Sequence, residues 1–345
     1  MKKLKVVLAA ILSLLLLVPF SGCAKKSTPE GTKELKKVRL NEVVRSVFYA
    51  PMYVAINNGY FKDEGIEIDL STGQGADKTM QQVLSKNADI GFCGPEQVVY
   101  INNQGRDDYP ILFACLTQKD GSFLVSRTDE KDFKWESLKG KTIIGGRPGG
   151  VPEMSLEYVL RNHGLEPGTD VKFVTNLDFT ATAAAFKSGT GDYVALFEPT
   201  ASVLEKDNGG YIVSSVGKEA GPIAYTAFFS TKSYMDKNPD TIQGFTNAIY
   251  KGQLWVASHS DEEVAKTISS FFPGTDESIL VNVVKNYRSI EAFAPDPTVK
   301  EENLTKLMDV IQSYDKKLIP TRPAYDKIVN TDFAAKAIKD VKLNK

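Results

Sequence analysis

The strongest local feature of the chain is Gly145-Gly146-Arg147-Pro148-Gly149-Gly150. It sits between an expected strand and a helix whose first turn begins near Pro152. Glycine lets backbone approach a ligand closely, and free N–H groups at a helix start carry the positive end of its dipole. Arg147, Gly149 and Gly150 are therefore candidate contacts for an anionic or acceptor group, against the plainer reading of an ordinary strand-to-helix turn. No Gly-Lys-Ser/Thr follows, so this is not a phosphate loop of the nucleotide hydrolases, and G-x-G-x-x-G is not matched. Other loops at expected carboxyl ends of strands are Arg45-Ser46-Val47-Phe48-Tyr49, Ser71-Thr72-Gly73-Gln74-Gly75, Cys93-Gly94-Pro95-Glu96 and Phe197-Glu198-Pro199-Thr200. Open α/β sheets bind ligands in the crevice outside those ends. Phe48, Tyr49, Phe197 and Tyr225, with hydroxyls and a few charges, suit an organic molecule with a flat or apolar body and polar ends. The plainer reading makes Phe48 and Phe197 core residues, and Glu96 and Glu198 favourable acids in a first helical turn.

Catalytic material is sparse. His163 precedes Gly164 at a helix end, His259 closes a polar turn, and no recognisable motif sets a Ser or Cys nucleophile beside either. Cys23, Cys93 and Cys115 with two His leave little for a zinc site. Cys93 and Cys115 are either a disulfide pair or ordinary buried thiols. No catalytic residue, metal or cofactor is expected.

The elements that position these loops alternate. Strands are expected at Val38 to Val44, Ile66 to Leu70, Ala88 to Phe92 and Pro110 to Leu116, with helices after Pro51, from Ala76 to Lys86 and from Pro95 to about Asn103. The stretch Gln118 to Ser122 reads as a domain crossing. The same alternation then returns: strands at Phe123 to Val125, Lys141 to Ile144, Val171 to Val174 and Tyr193 to Phe197, and helices at Pro152 to His163, Phe179 to Lys187 and Pro199 to Lys206. Ile223 to Phe229 is a return strand. The rest is helical and expected to pack on the first lobe. Such alternation implies crossover units and mainly parallel sheets. The doubling is one of pattern, without a sequence repeat.

Length and charge narrow the class. With 345 residues the chain can bury a sizeable core. Lys+Arg 42 against Asp+Glu 43 gives a net charge of −1, with no basic footprint for nucleic acid. Residues 1–22 read as a secretion signal: three early lysines, then an apolar run from Val6 to Val18, too short to cross a bilayer comfortably. Ser21-Gly22 before Cys23 resembles the lipobox of bacterial lipoproteins, with Phe20 where Leu is usual. Cleavage there removes three Lys and no acid, leaving a balance of −4. Two or three acyl chains on Cys23 would anchor the protein stably. Residues 23–37, polar and holding Pro29 and Gly31, read as a flexible tether on the outer face of the cell membrane.

Tyr49-Ala50-Pro51-Met52-Tyr53-Val54-Ala55 with Gly59-Tyr60-Phe61, Ala88-Asp89-Ile90-Gly91-Phe92 and the Gly145 to Gly150 turn, together with the lipobox, resemble the solute-binding proteins of ABC importers. The likeness is to the NMT1/THI5-like branch, which covers nitrate, sulfonate, taurine and thiamine-pyrimidine receptors. It implies an α/β, two-lobed periplasmic-binding-protein fold of type II, each lobe a mainly parallel sheet flanked by helices. One lobe is expected at 38–119 plus 224–345 and the other at 120–223. The resemblance further implies a monomer that closes on a small solute and delivers it to a permease driven by a cytoplasmic ATPase. Ser46, Phe48, Tyr49, Cys93, Glu96, Gln118, Arg147, Gly149, Gly150, Phe197, Glu198 and Tyr225 would line the cleft. A pyrimidine-like solute is favoured over an alkyl sulfonate, because an acid at Glu198 facing the pocket opposes an anion. Two rivals stand beside it: a sensory lipoprotein, and a pyrimidine-synthesising enzyme, for which the cysteine-rich iron motif is missing.

Overall fold

The computed structural model describes residues 34–343. The expected signal segment, Cys23 and the tether as far as residue 33 lie outside the described residues. The first strand begins at Lys36, two residues before the expected start of the lobe, because the Lys36 amine is fixed by Asn238 Oδ1 at 2.6 Å and Thr241 Oγ1 at 2.8 Å.

Ten strands form two five-stranded sheets. The first contains β1 (Lys36–Glu42), β2 (Ile66–Thr72), β3 (Ile90–Cys93), β4 (Pro110–Thr117) and the last strand, β10 (Thr226–Thr231), in the order β2-β1-β3-β10-β4. The second contains β5 (Ser122–Ser126), β6 (Thr142–Ile144), β7 (Lys172–Val174), β8 (Tyr193–Phe197) and β9 (Tyr211–Ser215), in the order β7-β6-β8-β5-β9. The two orders have the same form. In each sheet four strands share a direction, and one strand runs antiparallel to both of its neighbours: β10 between β3 and β4, β5 between β8 and β9. These reversed strands are the ones that enter each sheet from the other, so the chain crosses twice and each crossing costs one reversal.

Three strands of each sheet are followed by a helix that carries the chain over to the next, and the pairs match across the molecule. Ala50–Asn57, Ala76–Leu84 and Glu96–Asn103 follow β1, β2 and β3, while Val151–Asn162, Phe179–Lys187 and Thr200–Lys206 follow β6, β7 and β8. Pro51 and Pro152 each occupy a first helical turn, where the missing N–H costs nothing. Period-two alternation splits the second sheet between two apolar clusters: Phe123 and Val125 join the large core, while Leu124 faces Trp135, Leu138 and Val159 on the other side.

The helical tail does more than pack on the first sheet's half. Pro239–Ser258 lies along Ala50–Asn57, with the Gly252 Cα against the Pro51 carbonyl, an approach that only glycine permits. Helix Glu277–Ser289, however, reaches the second half through Asn286 and Tyr287, and helix Glu301–Tyr314 through Lys306, whose amine donates to the Ala220 carbonyl. The amphipathic pattern marked which face of each helix is buried, but not against which half. Strand β9 was also not read from the sequence; it follows Gly209-Gly210 at a sheet edge, with Tyr211 exposed and only Ser215 buried. Cys93 and Cys115 are free thiols. Both are in register with Ala227, from opposite sides of β10, so they are two strand spacings, about 9.6 Å, apart, beyond disulfide reach.

Candidate functional site

Because the two sheets share one strand order, their helix starts face a common cleft. A cavity enclosing about 520 Å³, open solvent at its mouth included, lies there. All six strand-to-helix junctions contribute to its wall: Tyr49, Ala76 and Glu96 from the first half, and Gly150, Phe179 and Phe197 from the second. Val43 and Val44 at the end of β1, with Tyr225 and Thr226 at the start of β10, complete the apolar side. Phe179 meets Phe197 edge-on with ring centroids 5.9 Å apart, and at 37% exposure it is among the few large apolar side chains left open to solvent.

Of the residues the sequence nominated, Tyr49, Glu96, Arg147, Gly150, Phe197 and Tyr225 stand around this cavity. Ser46 and Glu198 line a neighbouring cavity of about 650 Å³, open solvent included, that shares Val44, Phe179 and Phe197 with the first. Phe48, Cys93, Gln118 and Gly149 line neither, each for a local reason. Phe48 is wholly buried beneath Tyr49, Phe197, Tyr225 and Tyr287, and a Cβ on Gly121 would come within 2.8 Å of its ring. Cys93 is inside β3 with its thiol pKa pushed well up by burial. The Gln118 amide donates to the carbonyls of Glu291 and Phe293, tying the crossing to the tail. Gly149, at φ +72°, accepts from the Tyr100 hydroxyl at 3.0 Å. Ser46 caps the turn at Val47–Tyr49 and donates across the cleft to the Glu198 carbonyl at 3.0 Å. The Glu198 carboxylate accepts from Ser202 N at 2.8 Å, Ser202 Oγ at 2.7 Å and Asn286 Nδ2 at 2.9 Å. Its acceptors are thus engaged by the second half and the tail, while the residue still lines the neighbouring cavity.

Glu96 is the acid at the cavity. It is 1% exposed, its Oε2 has no partner, and its one side-chain contact is Gln97 Nε2 at 3.3 Å. Burial raises its pKa to about 7, opposed in part by Gln97 and by the charge of Arg147. Arg147 reaches in from the other half. Its Nε rests 3.5 Å from Asp77 Oδ1 across the cleft, while its Nη2 is buried without a partner. The Tyr225 hydroxyl is likewise buried and unpartnered, its pKa raised by burial and by Asp120. Asp120, buried at the crossing, accepts from Ser122 N at 2.7 Å and has its pKa raised to about 6 by burial.

The glycine turn proves to have a structural reason beside any ligand role. Glu153, 1% exposed, folds its carboxyl back to accept from Gly146 N at 2.7 Å and fills the space a Gly145 side chain would take. Burial raises its pKa to about 8. Sequence reasoning missed Glu153, Phe179 and Asp77. The helix-start position of Phe179 was the available signal, since its counterpart Ala76 opens the matching helix. Among the described residues no three His, Cys, Asp or Glu side chains stand close enough to hold a metal ion, and no helix is long and apolar enough to cross a membrane.

A family model described as NMT1/THI5 like matches residues 47–263. The chain belongs to the NMT1/THI5-like family. Its relatives include the "Putative binding protein YtlA" of Bacillus subtilis (strain 168), 41% identical over 332 residues that span 96% of this chain and 97% of that protein. The Formylaminopyrimidine-binding protein of Halalkalibacterium halodurans is 24% identical over 264 residues, 73% of this chain and 76% of that one. Among solved structures, the alkanesulfonate-binding protein SsuA of Xanthomonas axonopodis pv. citri bound to MOPS superposes with a TM-score of 0.67 at 16% identity, covering 86% of this chain and 99% of that chain. That likeness establishes the periplasmic-binding-protein fold of this NMT1/THI5-like chain.

Proposed function

We propose that the protein is the solute-binding component of an ABC-type importer, working outside the cytoplasm and tethered by acylated Cys23. The two halves, 38–119 plus 224–345 and 120–223, close on a small organic solute and leave it covalently unchanged. Closure follows from differential contact, since a solute touching both walls stabilises the closed state over the open one. The observation that carries this reading is the cavity wall itself, to which all six strand-to-helix junctions contribute. Family membership supports the importer setting, because the named relatives are binding proteins. A permease with a cytoplasmic ATPase would receive the closed form from a monomeric receptor.

The solute is read as a pyrimidine-like ring. Phe179, Phe197, Tyr49 and Tyr225 supply flat apolar surface, and the Glu96 acid shares their cavity, with Glu198 in the neighbouring one. An alkyl sulfonate is the alternative, favoured by Arg147 and the helix starts. The test is a thermal-shift panel of aminopyrimidines, alkyl sulfonates, nitrate and amino acids on the purified chain. A ligand at 100-fold its dissociation constant adds about 2.7 kcal/mol of stability. Stabilisation by aminopyrimidines is expected. Stabilisation by sulfonates alone overturns the choice of solute, and turnover of any bound compound overturns the receptor reading.

A further inference from the structure

Among the described residues, nine buried side-chain polar atoms lack a hydrogen-bond partner, and three of them surround the same cavity: Glu96 Oε2, Arg147 Nη2 and Tyr225 Oη. The other six are scattered over the rest of the described residues, and an unpaired buried polar group costs roughly 1–3 kcal/mol. Three such atoms at one apolar chamber make a set waiting for partners. They also differ in kind. A carboxyl comes from the first half, a guanidinium from the second, and a hydroxyl able to do either from the returning strand. Among the described residues Glu96 and Arg147 form no ion pair. Arg147 leans instead on Asp77, and both Arg147 and Glu96 line the cavity.

We propose that Glu96 and Arg147 are the specificity-determining pair of the cleft, selecting an uncharged planar solute that offers a donor to Glu96 and, on the same edge, an acceptor to Arg147. This rests on the reading of the cleft as a solute site. A ring amine beside a ring nitrogen or carbonyl meets both demands. An anion that can only accept satisfies Arg147 and leaves the ionised Glu96 facing a like charge, so the pair rejects it. Tyr225 adds a third polar contact that fits either end of such an edge. Because the two members come from opposite halves, the solute completes the pair only when the cleft is closed, and selection and closure become one event. The Asp77 contact keeps Arg147 oriented toward the cleft before the solute arrives.

Isothermal titration of the full chain at pH 8, where Glu96 is ionised, tests this. The probes are 4-amino-5-hydroxymethyl-2-methylpyrimidine and cytosine as donor–acceptor rings, with methanesulfonate and nitrate as acceptor-only anions. The wild type is expected to bind at least one ring and neither anion. Glu96→Gln and Arg147→Gln are each expected to weaken ring binding at least tenfold, with the melting temperature held as the folding control. Arg147 is partly exposed, so its variant stays informative if the Glu96 variant folds poorly. An unchanged ring affinity in both folded variants, or an anion bound by the wild type in preference to the rings, overturns the assignment and leaves the receptor reading standing. Silence toward all four probes and toward the wider thermal-shift panel overturns the receptor reading and this inference with it.

Discussion

Glu96 and Glu198 occupy matching places: each lies just beyond the third parallel strand of its sheet, and each is 1% exposed. Burial alone would make them alike, and it raises the pKa of both. Their surroundings separate them. Glu198 gathers three donors, from Ser202 N, Ser202 Oγ and Asn286 Nδ2, and its own backbone N–H donates to the Tyr287 hydroxyl at 3.0 Å. It serves as a rivet between a helix start and the C-terminal helix that straddles the halves. Glu96 has a single long contact and an idle oxygen. One acid is saturated by the fold, and the other retains a free acceptor.

The comparison breaks most readily in stability. Glu198→Ala is expected to cost about 3 kcal/mol or more at pH 8, because it strands three donors in a buried setting. Glu96→Gln is expected to be neutral or stabilising at the same pH, since it removes a buried charge that Gln97 and Arg147 offset only in part. Urea unfolding of the two variants beside the wild type measures both, and equal losses would erase the distinction.

The pH dependence sharpens it further. The folded pKa of Glu96, about 7, stands above its ordinary value of 4.5, so the folded state holds the proton more tightly. Its contribution to stability is complete below about pH 4.5 and is lost as pH rises through 7, amounting to roughly 3 kcal/mol. Glu153, raised to about 8, carries the same decline one unit further. Melting temperatures from pH 4.5 to 8.5 are expected to fall, and Glu96→Gln to flatten the part of the fall ending near pH 7. A curve unchanged by that substitution would mean that Glu96 is better solvated than its burial implies.

A smaller effect is expected at Gly94. A Cβ there would land on Glu96 Oε2, the free end of a side chain able to swing away. Gly94→Ala is expected to cost about 1–2 kcal/mol in stability and to weaken solute binding by more than that cost alone explains. Calorimetric unfolding and a binding titration on one preparation separate the two, and binding that follows stability would show that Glu96 has no fixed pose.

Legibility followed the reach of the physics involved. The crossover pattern, the double crossing and the loops at strand ends were readable because period and turn chemistry are local. Glu96 and Glu198 looked the same in sequence, each following an apolar run and lying beside a proline. Ser202, four residues on where Glu96 has Tyr100, and Asn286, 88 residues further on, distinguish them. Phe48 and Tyr49 are neighbours of one type, yet only Tyr49 reaches the cavity, because the turn at Val47–Tyr49 drives the Phe48 ring under it. The glycines at 145 and 146 advertised a ligand turn, and the carboxyl that fills the space beside them comes from Glu153, a residue that in sequence is one more acid in a first helical turn.

The smallest expected effect belongs to acids left in water. His163 accepts or donates at both ring nitrogens, 2.8 Å from Glu136 and 2.8 Å from Glu219, and its ring stacks on Trp135. Two carboxylates on one imidazole require both nitrogens to be protonated, so the pairing favours the cation. Burial pushes the His163 pKa down, but the hydrogen bonds to Glu136 and Glu219 outweigh it and the net shift is upward from 6.5. That stability is complete below about pH 6.5 and is lost as pH rises through the folded value. Its partners are largely exposed, so screening keeps the contribution small. Glu136→Gln is expected to move the His163 titration, followed by the Cε1 proton in NMR, down toward 6.5 and to change the melting temperature by only about 1–2 °C. A loss as large as that of Glu198→Ala would mean that charge pairing, and not burial with or without partners, governs the acids of this protein.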